Sequence, residues 1–173
     1  MNVLENFSRI TTFIFDVDGV LTDGSVLLLE NGIQARRMNV KDGLALQMAL
    51  KHNYSVVIVS GGYSQQVVER MHYLGIREVY MATGNKLSFI KKYLSEKGLG
   101  WDGVLFMGDD LPDVPVLKQA GLSCCPADAV QEAKEASKYI SHLNGGYGCV
   151  RDVIEKVLRL NNHWQYETDI TSK

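Results

Sequence analysis

The sequence predicts an α/β fold: a doubly wound, Rossmann-like parallel sheet with helices on both faces. Two observations carry that expectation. Short apolar, β-prone segments alternate with helical patterns along almost the whole chain, as parallel strands joined by helical crossovers require. Three of those strands also end on polar, ligand-capable residues, and open α/β sheets gather their ligands at such ends.

The first strand centres on Phe13, Ile14 and Phe15 and runs into Asp16-Val17-Asp18-Gly19. Residues 25–30 and 33–38 are β-prone and flank Asn31-Gly32, a pair that favours a tight hairpin turn, so a β-hairpin is inserted directly after the first strand. Helical spacing of Leu44, Ala45, Met48 and Ala49 marks a helix at 42–51, and Ser-Val-Val-Ile-Val-Ser at 55–60 marks a second strand. A helix at 65–74 closed by Gly75, a short strand at 78–81 and a helix at 86–97 closed by Gly98 follow. A strand at 104–107 ends at Gly108-Asp109-Asp110. Helices at 114–119 and 130–137, strands at 122–124 and 139–140, and a last helix at 149–160 complete a single domain over 1–160. The polar stretch 161–173 reads as a loose tail.

The 173 residues, 46% of them hydrophobic, suffice for one domain with a proper core. A net charge of −2 with interspersed signs gives no broad basic face for nucleic acid or anionic lipid. No apolar run approaches the roughly 18 residues a membrane span needs, and no N-terminal signal pattern appears, which places the protein in the cytoplasm. Cys124, Cys125 and Cys149 have neither metal-ligand nor redox spacing and are expected as buried free thiols. His52, His72, His142 and His163 show no zinc pattern.

Asp16 and Asp18 at a buried strand end repel each other, and a divalent cation is the simplest way to keep both ionised. An Asp-x-Asp-Gly can also be a plain turn, but the other strand ends converge on the same edge. They bring Ser60-Gly61-Gly62 and then Asp109, Asp110 and Asp113, while Lys86 opens a helix on that side. Five carboxylates around one lysine make a plausible magnesium site, since magnesium takes oxygen ligands and keeps water and phosphate. The Ser60 hydroxyl and glycine-flanked N–H groups can hold phosphate oxygens, helped by the following helix.

Asp-Val-Asp-Gly-Val at 16–20, the Ser60 strand end, Lys86 and Gly-Asp-Asp-Leu-Pro-Asp at 108–113 resemble, in order and spacing, the four motifs of the haloacid dehalogenase superfamily of phosphohydrolases. Asp-Val-Asp-Gly-Val-Leu-Thr-Asp-Gly at 16–24, the hairpin, Met-Asn-Val-Lys-Asp-Gly at 38–43 and Gly-Gly-Tyr-Gly-Cys-Val-Arg-Asp at 145–152 resemble its small capless branch, which includes the phosphatases of 3-deoxy-D-manno-octulosonate 8-phosphate, and so imply that ester as substrate, in lipopolysaccharide sugar synthesis. The intervals between Asp18 and Ser60 and between Ser60 and Lys86 leave no room for a cap domain.

The resemblance implies Asp16 as nucleophile, forming an aspartyl-phosphate, and Asp18 as acid and then base. It implies Mg2+ held by Asp16, the Asp18 carbonyl and Asp109. Ser60 and Lys86 would bind the phosphoryl group, and Asp110 or Asp113 would orient Lys86 or a metal-bound water. Sugar-acid binding falls to Asn39, Val40, Lys41, Asp42 and Gly43, with Gly61 and Arg70. The resemblance also implies a homotetramer built through hairpin 25–38. Gln47 and Gly62 stand where arginines are expected, so a nine-carbon sialic-type 9-phosphate is the alternative substrate.

Readings of another class are a phosphoaccepting receiver domain and a non-catalytic metal-binding scaffold. In a receiver the phosphorylated aspartate lies on a middle strand and the lysine on a late one. Here the double Asp is on the first strand and Lys86 precedes the second acidic cluster.

Overall fold

Strand β1 (Thr12–Phe15) consists of β-prone residues that are all buried. Its side chains alternate, Phe13 and Phe15 entering one apolar cluster and Ile14 the other, so β1 is covered on both faces. The computed structural model describes residues 3–165; of the expected tail, 166–173 lie outside the described residues.

Six strands form a parallel sheet around β1. β4 (Ser55–Val59) and β6 (Val104–Met107) flank it, with Phe13 opposite Val56 on one side and Leu105 on the other. β5 (Glu78–Tyr80) lies outside β4, and β7 (Leu122–Cys125) and β8 (Tyr139–Ile140) lie outside β6, giving the order β5-β4-β1-β6-β7-β8. The chain builds outward from β1 to β5, then returns to the other side of β1 for β6. That reversal makes the carboxyl ends of β1, β4 and β6 the switch point where such sheets bind ligands.

Helices α1 (Val3–Ser8), α2 (Val40–Lys51), α3 (Gln65–Tyr73) and α7 (Cys149–Leu160) pack on the Phe13 face. On the Ile14 face lie α4 (Lys86–Lys97), α5 (Val114–Leu117) and α6 (Gln131–Ala136). The expected helix at 42–51 begins at Val40, because the Asn39 side chain accepts from the Lys41 N–H at 2.9 Å and caps the end there. Helix α1 was not legible in the sequence. It has only six residues, and Phe7 is held by an edge-on contact with Tyr139, 5.2 Å between ring centres.

The inserted hairpin is shorter than 25–30 and 33–38 suggest: only β2 (Leu27–Leu28) and β3 (Gln34–Ala35) pair, antiparallel, with Gly32 at φ 79° in the turn. Among the described residues its apolar side chains are left largely uncovered, and Leu27 and Leu28 are 64% and 73% exposed. The other correction concerns the tail. His163 stacks on His52 and shares a 2.9 Å hydrogen bond with the Tyr54 hydroxyl, while the Trp164 ring lies over Arg151. The stretch just after α7 is therefore packed, through aromatic contacts that its polar composition hides. All three cysteines are buried and free, and among the described residues no helix is long and apolar enough to cross a membrane.

Candidate active site

Beyond Phe15 the backbone breaks into a wide turn at Val17–Leu21, and the Asp16 carboxylate closes its start by accepting from the Val17 N–H at 2.7 Å. Gly19 bends this loop with φ 82°. A Cβ at Gly19 would lie 2.0 Å from Asp109 Oδ2, so only glycine lets the β1 loop sit directly on the loop after β6.

After β4 the Ser60 backbone is clamped, its N–H donating to the Tyr80 carbonyl and its carbonyl accepting from the Thr83 N–H, both at 2.9 Å. The Ser60 side chain is buried and accepts from the Gly62 N–H at 3.2 Å. Lys86 is the first residue of α4, set by the Asn85 cap. Its Nζ donates to Asp16 Oδ2 at 2.9 Å and to Asp113 Oδ1 at 2.6 Å.

The acidic loop after β6 divides its labour. Buried Asp113 gives Oδ1 to Lys86, and its Oδ2 accepts from the Asp109 and Asp110 N–H groups at 3.0 and 3.4 Å. Both oxygens are used, so Asp113 fixes Lys86 and the loop. Exposed Asp110 caps the next turn by accepting from the Leu111 N–H at 2.7 Å. Asp109 differs: its Oδ1 is buried and meets no donor.

Charge is correspondingly frustrated here. Burial, then the charge of Asp113, pushes Asp16 up to about 7 against the opposing pull of Lys86. Burial, followed by Asp16, Asp113 and Asp110, pushes Asp109 up to about 8. Lys86 loses hydration on burial, yet Asp16 and Asp113 hold its ammonium above the ordinary lysine value. Oxygens of Asp16, Asp109 and Asp113 lie within 4.8 Å of one another. Asp113 accepts from Lys86 and two backbone N–H groups and Asp16 from Lys86 and the Val17 N–H, whereas Asp109 buries an oxygen without a donor, so the unmet demand for a cation centres on Asp109 with Asp16 beside it. A hard divalent ion with oxygen ligands fits this set.

Asp16, Asp18, Ser60, Gly61, Lys86, Asp109, Asp110 and Asp113 thus line one pocket of about 280 Å³, together with Gly19, Gly24, Gly62 and Pro112. The remaining sequence candidates lie elsewhere. Asn39 caps α2, Val40 and Lys41 are exposed at its start, and Lys41 borders a separate cavity along α7. Asp42 is buried and accepts from the Arg151 N–H at 2.7 Å. Gly43 gives way to Arg70, whose Nη2 would lie 3.2 Å from a Cβ there. Arg70 itself borders a groove between the hairpin and α3. Gln47 turns its amide oxygen into the interior without a partner.

One contribution was not foreseen from the sequence, and the glycine segment at 145–146, part of the resemblance, finds its contact here. Arg36, just past β3, grips Asp18 through Nε at 2.6 Å and Nη2 at 3.3 Å; a cation in a short apolar hairpin was the available signal. Gly145 and Gly146 lie on the back of the β1 loop. A Cβ on Gly145 would fall 1.9 Å from the Gly19 carbonyl oxygen, and the Gly146 N–H donates to the Val20 carbonyl at 2.9 Å.

Comparison with known proteins agrees with this geometry. A family model for haloacid dehalogenase-like hydrolases matches residues 72–154. The chain is 36% identical over 157 residues to 3-deoxy-D-manno-octulosonate 8-phosphate phosphatase KdsC of Salmonella typhi, covering 91% of this chain and 84% of that protein. Among solved structures it is similar to 3-deoxy-D-manno-octulosonate 8-phosphate phosphatase from Moraxella catarrhalis in complex with magnesium, phosphate and KDO. There the TM-score is 0.90 at 30% identity, over 93% of each chain. The cobalt-bound deoxy-D-mannose-octulosonate 8-phosphate phosphatase of Haemophilus influenzae matches with a TM-score of 0.86 at 29% identity, over 91% of this chain and 92% of that one.

Proposed function

Because the chain belongs to the haloacid dehalogenase-like hydrolases, we propose that it is a magnesium-dependent phosphatase that releases phosphate from 3-deoxy-D-manno-octulosonate 8-phosphate. The observation that carries this reading is the meeting, at three strand ends, of a lysine-paired Asp16 with a second carboxylate, Asp109, that lacks a donor. KdsC of Salmonella typhi acts, by its name, on the same ester, and the Moraxella catarrhalis protein was solved with magnesium, phosphate and the sugar acid bound.

In this reading Asp16 attacks phosphorus and carries the phosphoryl group as an aspartyl-phosphate. Its neighbours prepare it for attack. The Val17 N–H fixes one oxygen, and Lys86 at the other favours the ionised form against burial while drawing the phosphate dianion in. Asp18 protonates the departing sugar oxygen and then takes a proton from the water that hydrolyses the intermediate. Ser60 donates its hydroxyl to a phosphoryl oxygen, beside the Gly61 N–H, while the Gly62 N–H holds the hydroxyl oxygen. Asp113 positions Lys86 and the loop carrying Asp109. Asp16, Asp109 and the Asp18 carbonyl would hold Mg2+, which when bound offsets the repulsion between nucleophile and phosphate.

The same proposal covers a single phosphatase domain over 1–160, a cytoplasmic enzyme, and a homotetramer seated on the hairpin. Supporting the last are the exposed side chains of Val26, Leu27, Leu28, Leu29 and Ile33, an apolar patch of the kind that marks an interface. Gly62 and Gln47, where arginines are expected, favour a second reading of the substrate as a nine-carbon sialic-type 9-phosphate. The test is magnesium-dependent phosphate release from both esters, with Ser60→Ala beside the unmodified enzyme. Preference for the eight-carbon ester, cut about a hundredfold by Ser60→Ala, supports the proposal. Preference for the nine-carbon ester moves the assignment to the second reading, and no release from either contradicts both.

A further inference from the structure

Asp18 does not stand free at the mouth of the pocket. Arg36 holds it at two points, Nε to Oδ1 at 2.6 Å and Nη2 to Oδ2 at 3.3 Å, while Nη1 donates to the Gln34 carbonyl at 3.3 Å. The Arg36 side chain is 9% exposed and that of Asp18 37%. The guanidinium, more than the carboxylate, is the covered partner, so the hairpin has been folded down to deliver it.

The surroundings point outward from the acidic pocket. A Cβ on Gly62 would lie 3.3 Å from Asp18 Oδ2 and 3.9 Å from Arg36 Nη2; glycine there leaves the space beside the ion pair open. Beyond it runs a groove of about 330 Å³ between the hairpin and α3, bordered by Arg36, Arg70, Ser64 and the aliphatic Ile33, Met38 and Val67. A phosphate ester seated on Asp16 carries its leaving half toward Asp18, and Arg36, which grips Asp18 and borders this groove, stands where the two meet. Two arginines among aliphatic walls suit a carbon chain that bears a carboxylate, the group a guanidinium fork matches with paired hydrogen bonds.

We propose that Arg36 is a specificity-determining residue that exchanges one carboxylate for another. Its guanidinium grips Asp18 in the free enzyme, transfers to the carboxylate of the substrate's leaving half, and so frees the Asp18 side chain to turn toward the leaving oxygen. The inference rests on the phosphatase reading above. It gives the hairpin a part in substrate selection that the acidic pocket, built to hold phosphate, cannot supply. A neutral sugar phosphate would leave Arg36 on Asp18.

The experiment compares kcat/KM for 3-deoxy-D-manno-octulosonate 8-phosphate and for glucose 6-phosphate, with magnesium, in the unmodified enzyme, Arg36→Gln and Arg36→Lys. The expected result is that the acid-to-neutral ratio falls on the order of a hundredfold in Arg36→Gln, chiefly through KM for the acid ester, and that Arg36→Lys restores part of it. Equal losses for both esters would reduce Arg36 to a holder of Asp18 and overturn the proposal, as would an unchanged ratio. Calorimetric binding of the free sugar acid separates this inference from the reading beneath it. If the unmodified enzyme hydrolyses neither ester, the phosphatase reading fails, yet binding that is lost in Arg36→Gln and partly kept in Arg36→Lys still supports the exchange. Binding of equal strength in all three proteins would contradict it.

Discussion

Asp109 places one carboxylate oxygen where Gly19 has no side chain and buries the other without a donor. Such a group is costly to ionise unless a cation arrives, and its pH response follows. An unperturbed aspartate titrates near 3.8, whereas Asp16 and Asp109 are pushed up to about 7 and about 8. Across that window the folded, metal-free protein binds more protons than the unfolded chain, so its stability declines as pH rises. Magnesium competes with those protons. Its stabilising effect should therefore be large above about pH 8 and small near about pH 5, read as the shift in thermal midpoint on adding magnesium. Asp109→Asn should abolish most of that shift at every pH; a shift that is pH-independent and survives the substitution would contradict the assignment of Asp109.

The elements that carry the site are set by close backbone approach as much as by side chains. The Gly145-Gly146 segment presses on the β1 loop, which in turn presses through Gly19 on Asp109. Gly145→Ala would drive a methyl into the Gly19 carbonyl, a clash with backbone that cannot swing aside. It should cost roughly 1–3 kcal/mol of stability and lower kcat as the Asp16 loop shifts. Gly84→Ala, with nothing within 4 Å of its Cβ, should stay within about 0.5 kcal/mol. Denaturant unfolding of the two variants separates them, and equal effects would contradict the wedge. The sequence showed Asp16, Ser60, Lys86 and Asp109 because each stands where an apolar period breaks at a strand or helix end. It did not show Arg36, nor the contact that the Gly145 segment makes, because each depends on which distant loop is met. Nor did it separate Asp110 from Asp113: both are acids in one short turn, and only the direction of each side chain assigns Lys86 to Asp113.

At the scale of the whole molecule, the doubly wound parallel sheet was legible because strands and helices alternate and three strands end on ligand-capable residues, whereas the strand order was not. The hairpin was legible as a turn signal, but not in its extent, since the ladder is confined to Leu27–Leu28 and Gln34–Ala35, and both leucines are left exposed among the described residues. A second copy is the surface we expect there. Leu28→Lys should dissociate the assembly in sedimentation velocity while leaving the helical circular dichroism of the subunit intact. An unchanged sedimentation coefficient would remove the hairpin from the interface. Because Arg36 rides on the same hairpin, dissociation should also weaken the enzyme's preference for an acid ester over a neutral one.

The central claim, that Asp16 carries the phosphoryl group, is tested most directly by trapping it. Enzyme turning over 3-deoxy-D-manno-octulosonate 8-phosphate with magnesium is quenched in acid, digested and sequenced by mass spectrometry. The account predicts one acid-stable, base-labile phosphoryl group on the peptide containing Asp16, with none on Asp16→Asn. Full turnover without any phosphorylated Asp16, or turnover retained by Asp16→Asn, would contradict it.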